Sequence, residues 1–384
     1  MEIIVGTYGQ RLRLLELGIA SFEVLNSSVF EAENTSCLAL SPDRRFLFAV
    51  SESGDNSGVY SFEIHPYDRL KPLPFGRIVK RSEIRGTSPD PCHLLYLPGY
   101  YNHCGNPDNG ALLTADYSGG SISLFPVQEG RILPPAQVVR FEGHGPVAKR
   151  QQAPHIHHLV QHGNFLLAVD LGADCIHVLR LFDATVRPLC DGRLDRALRL
   201  EQLFDIPAPA GSGPRHLVID RSGSHFYVLT ELSNEILVYA MPDFTAVNDR
   251  PALLQRLAVG DPAFPGQAGG DIQLSPDGCH LYASLRNGDD GLVIARVLPD
   301  GTLERMGYQH TGAHVRDFFF LPEGLPTGEY MAVFCKNGGV LQFYRRNAAD
   351  GTLSLFREIA FNAFYGEPVH GVVLSEGRLS FTDC

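Results

Sequence analysis

Histidine and arginine recur at one kind of place in this chain: two or three residues into short apolar runs, behind a proline or a valine. Pro91-Cys92-His93, Pro154-His155-Ile156-His157, Pro214-Arg215-His216, Val315-Arg316-Asp317 and Pro368-Val369-His370 all have this form. A plain core would place small apolar residues there. A second set, Glu52, Asp116, Asp170, Glu231, Arg286 and Lys336, stands at the ends of other apolar runs and carries both signs of charge. Guanidinium groups suit two-point binding of phosphate or carboxylate, while imidazole and carboxylate can pass protons. A fold that brings the two sets to one mouth therefore builds a polar pocket.

Whether they meet depends on the elements that carry them. One unit recurs along the chain, beginning L-A-L-S-P-D-R-R-F-L-F-A-V at Leu38, H-L-V-I-D-R-S-G-S-H-F-Y-V at His216 and I-Q-L-S-P-D-G-C-H-L-Y-A-S at Ile272. The runs are rich in β-branched and aromatic residues and are joined by tight turns such as Ser275-Pro276-Asp277-Gly278, which marks hairpins. The residues ending the second strand are Glu52, Tyr117, Leu171, Glu231, Arg286 and Lys336, at successive separations of 65, 54, 60, 55 and 50. A third strand follows most of them, and a fourth is expected. The segment from Ile3 to Gly9 matches a second strand without a first, and the segment from Glu367 to Leu374 supplies the missing one. The pattern predicts an all-β fold, a seven-bladed β-propeller closed by pairing of the N- and C-terminal segments in one blade, as one domain over residues 1–384. In such a fold the first strand of each blade lines the central channel, so the polar positions converge.

Composition narrows the function classes. Of 384 residues, 44% are hydrophobic, enough for a substantial core, and the net charge of -11 repels a phosphate backbone. Nucleic acid is not an expected partner. No window is long and apolar enough to span a membrane, and the first residues lack the basic start of a leader, so a soluble cytoplasmic protein is expected. The eight cysteines are scattered without C-x-x-C spacing and read as reduced core thiols. The pairs Gly119-Gly120, Gly269-Gly270 and Gly338-Gly339 read as turn punctuation, and no phosphate-cradling glycine motif occurs, so no cofactor is expected. His155 and His157 would share a strand face, but a third metal ligand is not evident and no metal is assigned. His225 and His280 read as exposed turn residues, Ser212 as a loop serine, and Asp116, Asp170 and Asp174 as turn caps. The irregular stretches Tyr100–Asn109 and Asp243–Gly269 are candidates for a pocket rim.

The motifs also carry a resemblance. Gly6-Thr7-Tyr8, Arg150-Gln151 with Pro154-His155-Ile156-His157, Asp170-Leu171-Gly172-Ala173-Asp174, Gly211-Ser212-Gly213-Pro214-Arg215-His216, Thr230-Glu231-Leu232 and Arg316-Asp317-Phe318 together resemble the lactonase-type seven-bladed propeller family along nearly the whole chain. That family includes cycloisomerase-type 6-phosphogluconolactonases and the fungal 3-carboxy-cis,cis-muconate lactonizing enzyme, which respectively open and close a lactone ring on an anionic substrate. Carried over by position, the resemblance implies His155, Arg215, Glu231 and Arg286 as the active-site set. Arg215 and Arg286 would stabilise oxyanion charge and hold the anion, and His155 and Glu231 would move the proton, either being the base. Lys336, Arg316 and His93 join Arg215 and Arg286 as substrate-binding residues, with Lys336 standing where the family commonly has an amide.

The resemblance thus implies hydrolysis of a phosphorylated sugar lactone, 6-phospho-D-glucono-1,5-lactone to 6-phosphogluconate. The alternatives are a lactonizing cycloisomerase of the muconate type and a non-catalytic propeller platform for proteins. The expected partner is a small anionic lactone or carboxylate, and closed sheet edges suit a monomer or weak homodimer.

Overall fold

The computed structural model describes residues 1–65, 77–100, 109–188, 194–244, 251–322, 329–362 and 364–375. Among them are seven antiparallel sheets, each led by one innermost strand. Blade 1 joins the two ends of the chain: Glu367–Ser375 is innermost, followed by Glu2–Tyr8, Arg11–Leu17 and Val24–Glu31. Ile3 lies opposite Val373 and Val5 opposite Gly371, so the ring closes by backbone hydrogen bonds rather than by a covalent link. The innermost strands of blades 2 to 7 are Leu38–Leu40, Pro91–Pro98, Ile156–His162, Pro214–Ile219, Ala268–Leu274 and Val315–Phe320. Each contacts its neighbours in cyclic order, which bears out the seven-bladed expectation.

The second strands explain why this sequence folds so. Phe46–Ser51 and His225–Thr230 are rich in aromatic and β-branched residues, Gly110–Asp116 and His280–Arg286 in leucine and alanine, and all four are buried on both faces, because each blade is sandwiched between two others. The apolar side chains gather in seven clusters, one at each junction between blades. Leu113, Leu124, Leu159 and Leu166 knit blade 3 to blade 4, and Phe22, Tyr330 and Phe343 knit blade 7 to blade 1. With no tryptophan in the chain, tyrosine does part of this work with a polar tip. Tyr227 and Tyr282, equivalent in blades 5 and 6, donate their hydroxyls to Gly301 and Gly351 carbonyls in turns of the following blade.

Those turns correct one expectation. His280 is buried, not exposed, because the turn at Gly351 sits on its ring and Arg346 bonds its Nδ1 at 2.8 Å. His225, half-buried under the equivalent turn at Gly301, pairs with Asp220 at 3.0 Å.

A second feature positions the site. In blades 3, 4, 5, 7 and 1 the innermost strand carries one extra residue against its partner: Cys92, His157, Arg215, Arg316 and Val369. A β-bulge re-aims the side chain of the extra residue, and all five line the central cavity. Blade 6 bulges at Gly270-Asp271. The pair Gly269-Gly270 therefore lies inside a strand rather than in a turn: a Cβ on Gly270 would come within 2.3 Å of Ser284 Oγ and 2.7 Å of the Val315 carbonyl.

Candidate active site

The bulge in blade 5 turns Arg215 inward, where the guanidinium is 1% exposed. Its Nε donates to Glu231 Oε2 at 3.0 Å and its Nη1 to the Gly270 carbonyl at 2.6 Å. Glu231 immediately follows the second strand of the same blade. Arg286, last residue of the second strand of blade 6, donates to the same Glu231 oxygen at 2.9 Å. A third cation arrives from a loop: Arg150 reaches Glu231 Oε1 at 2.6 Å. Burial would raise the Glu231 carboxyl, but Arg286, Arg215 and Arg150 hold it down at about 2. The carboxylate is therefore ionised through the neutral range, with both lone-pair sites of Oε2 and one of Oε1 taken by guanidinium donors.

Arg150 is placed by its neighbour. Gln151 is fully buried and donates to Asp174 Oδ1 at 2.7 Å and to the Leu171 carbonyl at 2.9 Å, while its Oε1 accepts from Val147 N–H at 3.1 Å. This clamp leaves Arg150 as the more accessible of the three, with 40% of its side chain exposed. Asp174 also receives Gly211 and Gly213 N–H, and Asp170 receives those of His155, Gly172 and Ala173, so both act as the turn caps expected of them.

His155 stands one ring away from the carboxylate. It stacks on Tyr117 at 4.4 Å between centroids, and the Tyr117 hydroxyl accepts from Arg150 at 3.3 Å. His155 Nδ1 lies 2.8 Å from the Tyr117 carbonyl oxygen. A carbonyl only accepts, so Nδ1 carries a proton, and in the neutral form of the imidazole the lone pair is on Nε2.

The remaining predicted residues form two further groups. Arg316 donates to Glu52 at 3.1 Å, and the Tyr8 hydroxyl donates to the same Glu52 oxygen at 2.5 Å. Arg316 and Lys336 both lie over the Tyr8 ring, at 4.9 and 5.0 Å, and Lys336 pairs with Glu367 at 3.4 Å. Arg316 and Tyr8 act electrostatically on Arg286, so this group adjoins the first. His93 is elsewhere: its ring packs on His158 at 4.3 Å, in a cavity of about 100 Å³ that Arg215 and Arg316 also line.

Sequence reading did not assign a role to Arg150, Tyr117, Tyr8 or His314. The first three lie in or beside motifs that were visible, but nothing in the spacing said which side chains would reach Glu231 or Glu52. His314 adopts φ 63°, is held by Asp290 through its N–H at 2.7 Å and approaches Arg286 Nη1 at 3.4 Å. Burial and Arg286 depress its imidazole to about 3, so it meets the cation as a neutral acceptor.

His155 and His157 do not assemble a metal site. Among the described residues the one cluster with ligand spacing is Asp170, Cys175 and His177. Its imidazole uses both nitrogens already, on Asp170 at 3.1 Å and Asp205 at 2.7 Å. Although burial opposes its charge, these bonds push His177 up to about 11, so it is a protonated strut across three strands rather than a ligand. The free thiols fit the expected reduced state: Cys37, Cys92, Cys175 and Cys335 are buried and Cys279 is exposed, while Cys104, Cys190 and Cys384 lie outside the described residues. Most of 100–109 and part of 243–269, the expected rim, also lie outside them.

The chain as a whole is similar to known proteins. The family described as Lactonase, 7-bladed beta-propeller matches residues 2–364. A 6-phosphogluconolactonase of Formosa agariphila is 27% identical over 88% of this chain and 89% of its own length. That of Bacillus subtilis is 26% identical over 84% and 83%. Among solved structures, a putative 6-phosphogluconolactonase from Bacteroides fragilis is 30% identical, covers 97% of both chains and superposes with a TM-score of 0.77. A periplasmic gluconolactonase of Pseudomonas aeruginosa is 27% identical, covers 97% of this chain and 99% of its own, and also has a TM-score of 0.77.

Proposed function

Because this chain belongs to the seven-bladed β-propeller lactonase family, we propose that it hydrolyses 6-phospho-D-glucono-1,5-lactone to 6-phosphogluconate. The observation that carries the reading is the cationic mouth: Arg150, Arg215, Arg286, Arg316 and Lys336 outnumber their carboxylate partners Glu231, Glu52 and Glu367. Such a site attracts a small substrate bearing a fixed anion and stabilises the charge that develops when water attacks a lactone carbonyl.

The roles divide on chemical grounds. Glu231, held at about 2, is too weak a base to deprotonate water near neutral pH. It serves instead as the anionic hub that fixes three guanidinium groups. His155, with Nδ1–H committed to the Tyr117 carbonyl, offers the lone pair of Nε2 to the attacking water. Water oxygen bonds to the carbonyl carbon, the water proton passes to His155, the ring C–O bond breaks, and that proton returns to the departing ring oxygen. Arg215 and Arg286 hold the oxyanion in between. Arg316 and Lys336, both against Tyr8, hold the distal phosphate, with Arg150 as the accessible donor at the rim. The free thiols suit a reducing compartment, and we place the protein in the cytoplasm, as a monomer or weak dimer.

Acid release from the phosphorylated lactone and from unphosphorylated glucono-1,5-lactone, and proton uptake with a carboxylated muconate, test the reading. It predicts acceleration above the spontaneous rate with the first, and a kcat/KM at least ~10-fold lower without the phosphate, as expected for losing one charged contact. Turnover of the muconate alone would assign a cycloisomerase, and acceleration of none would return the fold to a binding platform.

A further inference from the structure

Below the arginine cluster the channel is lined by a ring that the proposed chemistry does not use. At the position following the bulge, blades 1, 3, 4, 5 and 7 present His370, His93, His158, His216 and Asp317, and blade 6 presents Asp271. Three of these histidines make the same bond. His370 Nδ1 accepts the Leu38 N–H, His93 Nδ1 the Leu159 N–H and His158 Nδ1 the Leu217 N–H, each at 3.3 Å and each across a junction to the next blade.

A nitrogen that accepts a backbone N–H carries no proton. Burial and neighbouring charges keep all three imidazoles neutral, so each must be protonated on Nε2. The fourth histidine is different: His216 Nδ1 faces Asp271 at 2.6 Å, and Asp271 in turn neighbours Asp317, whose carboxyl is pushed well up by burial and by Asp271. His93 and His158 therefore turn N–H donors towards a cavity of about 100 Å³ that Arg215 and Arg316 line with positive charge and Cys37, Asp271 and Asp317 line as well; the His370 Nε2–H has only long contacts there, 3.7 Å to Asp317 Oδ2 and 3.9 Å to Cys37 Sγ. His157, buried there, has an Nδ1 with no hydrogen-bond partner among the described residues.

We propose that this chamber is a binding site for a small monovalent inorganic anion of halide size, held by the Nε2–H groups of His93, His158 and His370 and by the field of Arg215 and Arg316. The same protonation pattern argues against a transition metal, since the nitrogens that could ligate one carry hydrogen. The anion would act as a pin between blades: it satisfies donors contributed by blades 1, 3 and 4, whose imidazoles already tie them to blades 2, 4 and 5.

The test uses the full-length protein and does not depend on lactone turnover, so it stands or falls separately from the reaction above. Melting is followed as chloride or bromide replaces glutamate at constant ionic strength, and crystals grown in bromide are examined for anomalous scattering. The expected result is a saturable rise in Tm of about 2–5 °C at ~100 times Kd, with a bromide peak beside His158. Two substitutions separate the halves of the imidazole. His158→Asn places an amide oxygen where Nδ1 stood, keeping the Leu217 bond but removing the inner donor, and abolishes the halide response. His158→Gln keeps a donor near Nε2 and forfeits the inter-blade bond, so it lowers the basal Tm and retains the response. Should His158→Asn not fold, His370→Asn repeats the test at the equivalent position. A Tm indifferent to halide with no bromide peak, a response surviving in His158→Asn, or a response to the cation instead would each overturn the proposal.

Discussion

Glu231 gathers three guanidinium groups, and on the proposed mechanism it organises the site without moving a proton. Three guanidinium groups from two blades and a loop converge on its two oxygens, and removing the charge would leave those cations unpaired in a buried place. Glu231→Gln should destabilise the fold by about 3 kcal/mol, within the range for breaking a buried ion pair, and lower kcat/KM sharply, which chemical denaturation and initial rates would show. The same ion pairs set an acid limb. Because Glu231 titrates at about 2 in place of an ordinary 4.5, the stability it lends is complete above the ordinary value and is lost as pH falls towards 2. A Tm-against-pH series should show that limb in the native protein and a shallower one in Glu231→Gln. The predicted residues Arg215, Glu231 and Arg286 were legible because each ends or begins a repeat. Arg150 was not, since it belongs to a loop whose course is fixed by Gln151 through bonds to Leu171 and Asp174.

At the scale of strands, the bulge is the device that makes a channel wall into a site. The alternation of apolar and polar residues disclosed the strands, and tight turns disclosed their pairing. That Arg215 and Arg316 stand on channel-lining strands was legible, but the bulges that aim their side chains were not, because one extra residue in so short a strand is lost in its apolar pattern. Nor were the inter-blade histidine bonds, which join residues far apart in the chain. Gly270 illustrates the consequence. Its carbonyl receives Arg215, and a methyl group there collides with Ser284 Oγ and the Val315 backbone. Gly270→Ala should cost about 1–3 kcal/mol and more in activity than in stability, with kcat falling as Arg215 shifts. Blade 4 carries another strut, His177, bonded to Asp170 in the second strand and Asp205 in the outer strand. With its imidazole raised from 6.5 to about 11, the stability it lends is full below pH 6.5 and fades as pH rises towards 11. His177→Gln should flatten the alkaline side of the Tm profile; an unchanged slope would show that the imidazolium contributes nothing.

The whole molecule is a ring closed by one noncovalent seam, and its charge distribution opposes its site. Seven clusters of apolar side chains are shared between neighbours, so no blade owns its core. Deleting residues 367–384 strips the innermost strand from blade 1 and exposes Ile3, Val5 and Phe334. The shortened chain should lose its cooperative melting transition, as judged by near-ultraviolet circular dichroism. The net charge of -11 repels an anionic substrate at long range, while the cationic mouth draws it in at short range. On the proposed mechanism this mouth opens a lactone with His155 taking the proton and Arg215 holding the oxyanion. That mechanism is tested most directly by 6-phosphogluconolactone hydrolysis above the spontaneous rate, measured side by side for the native protein, His155→Ala and Arg215→Ala, with melting curves confirming that each is folded. The expected result is that kcat falls about 10²–10⁴-fold without the imidazole and about 10²–10³-fold without the guanidinium. Folded variants that hydrolyse the lactone as fast as the native protein would contradict it.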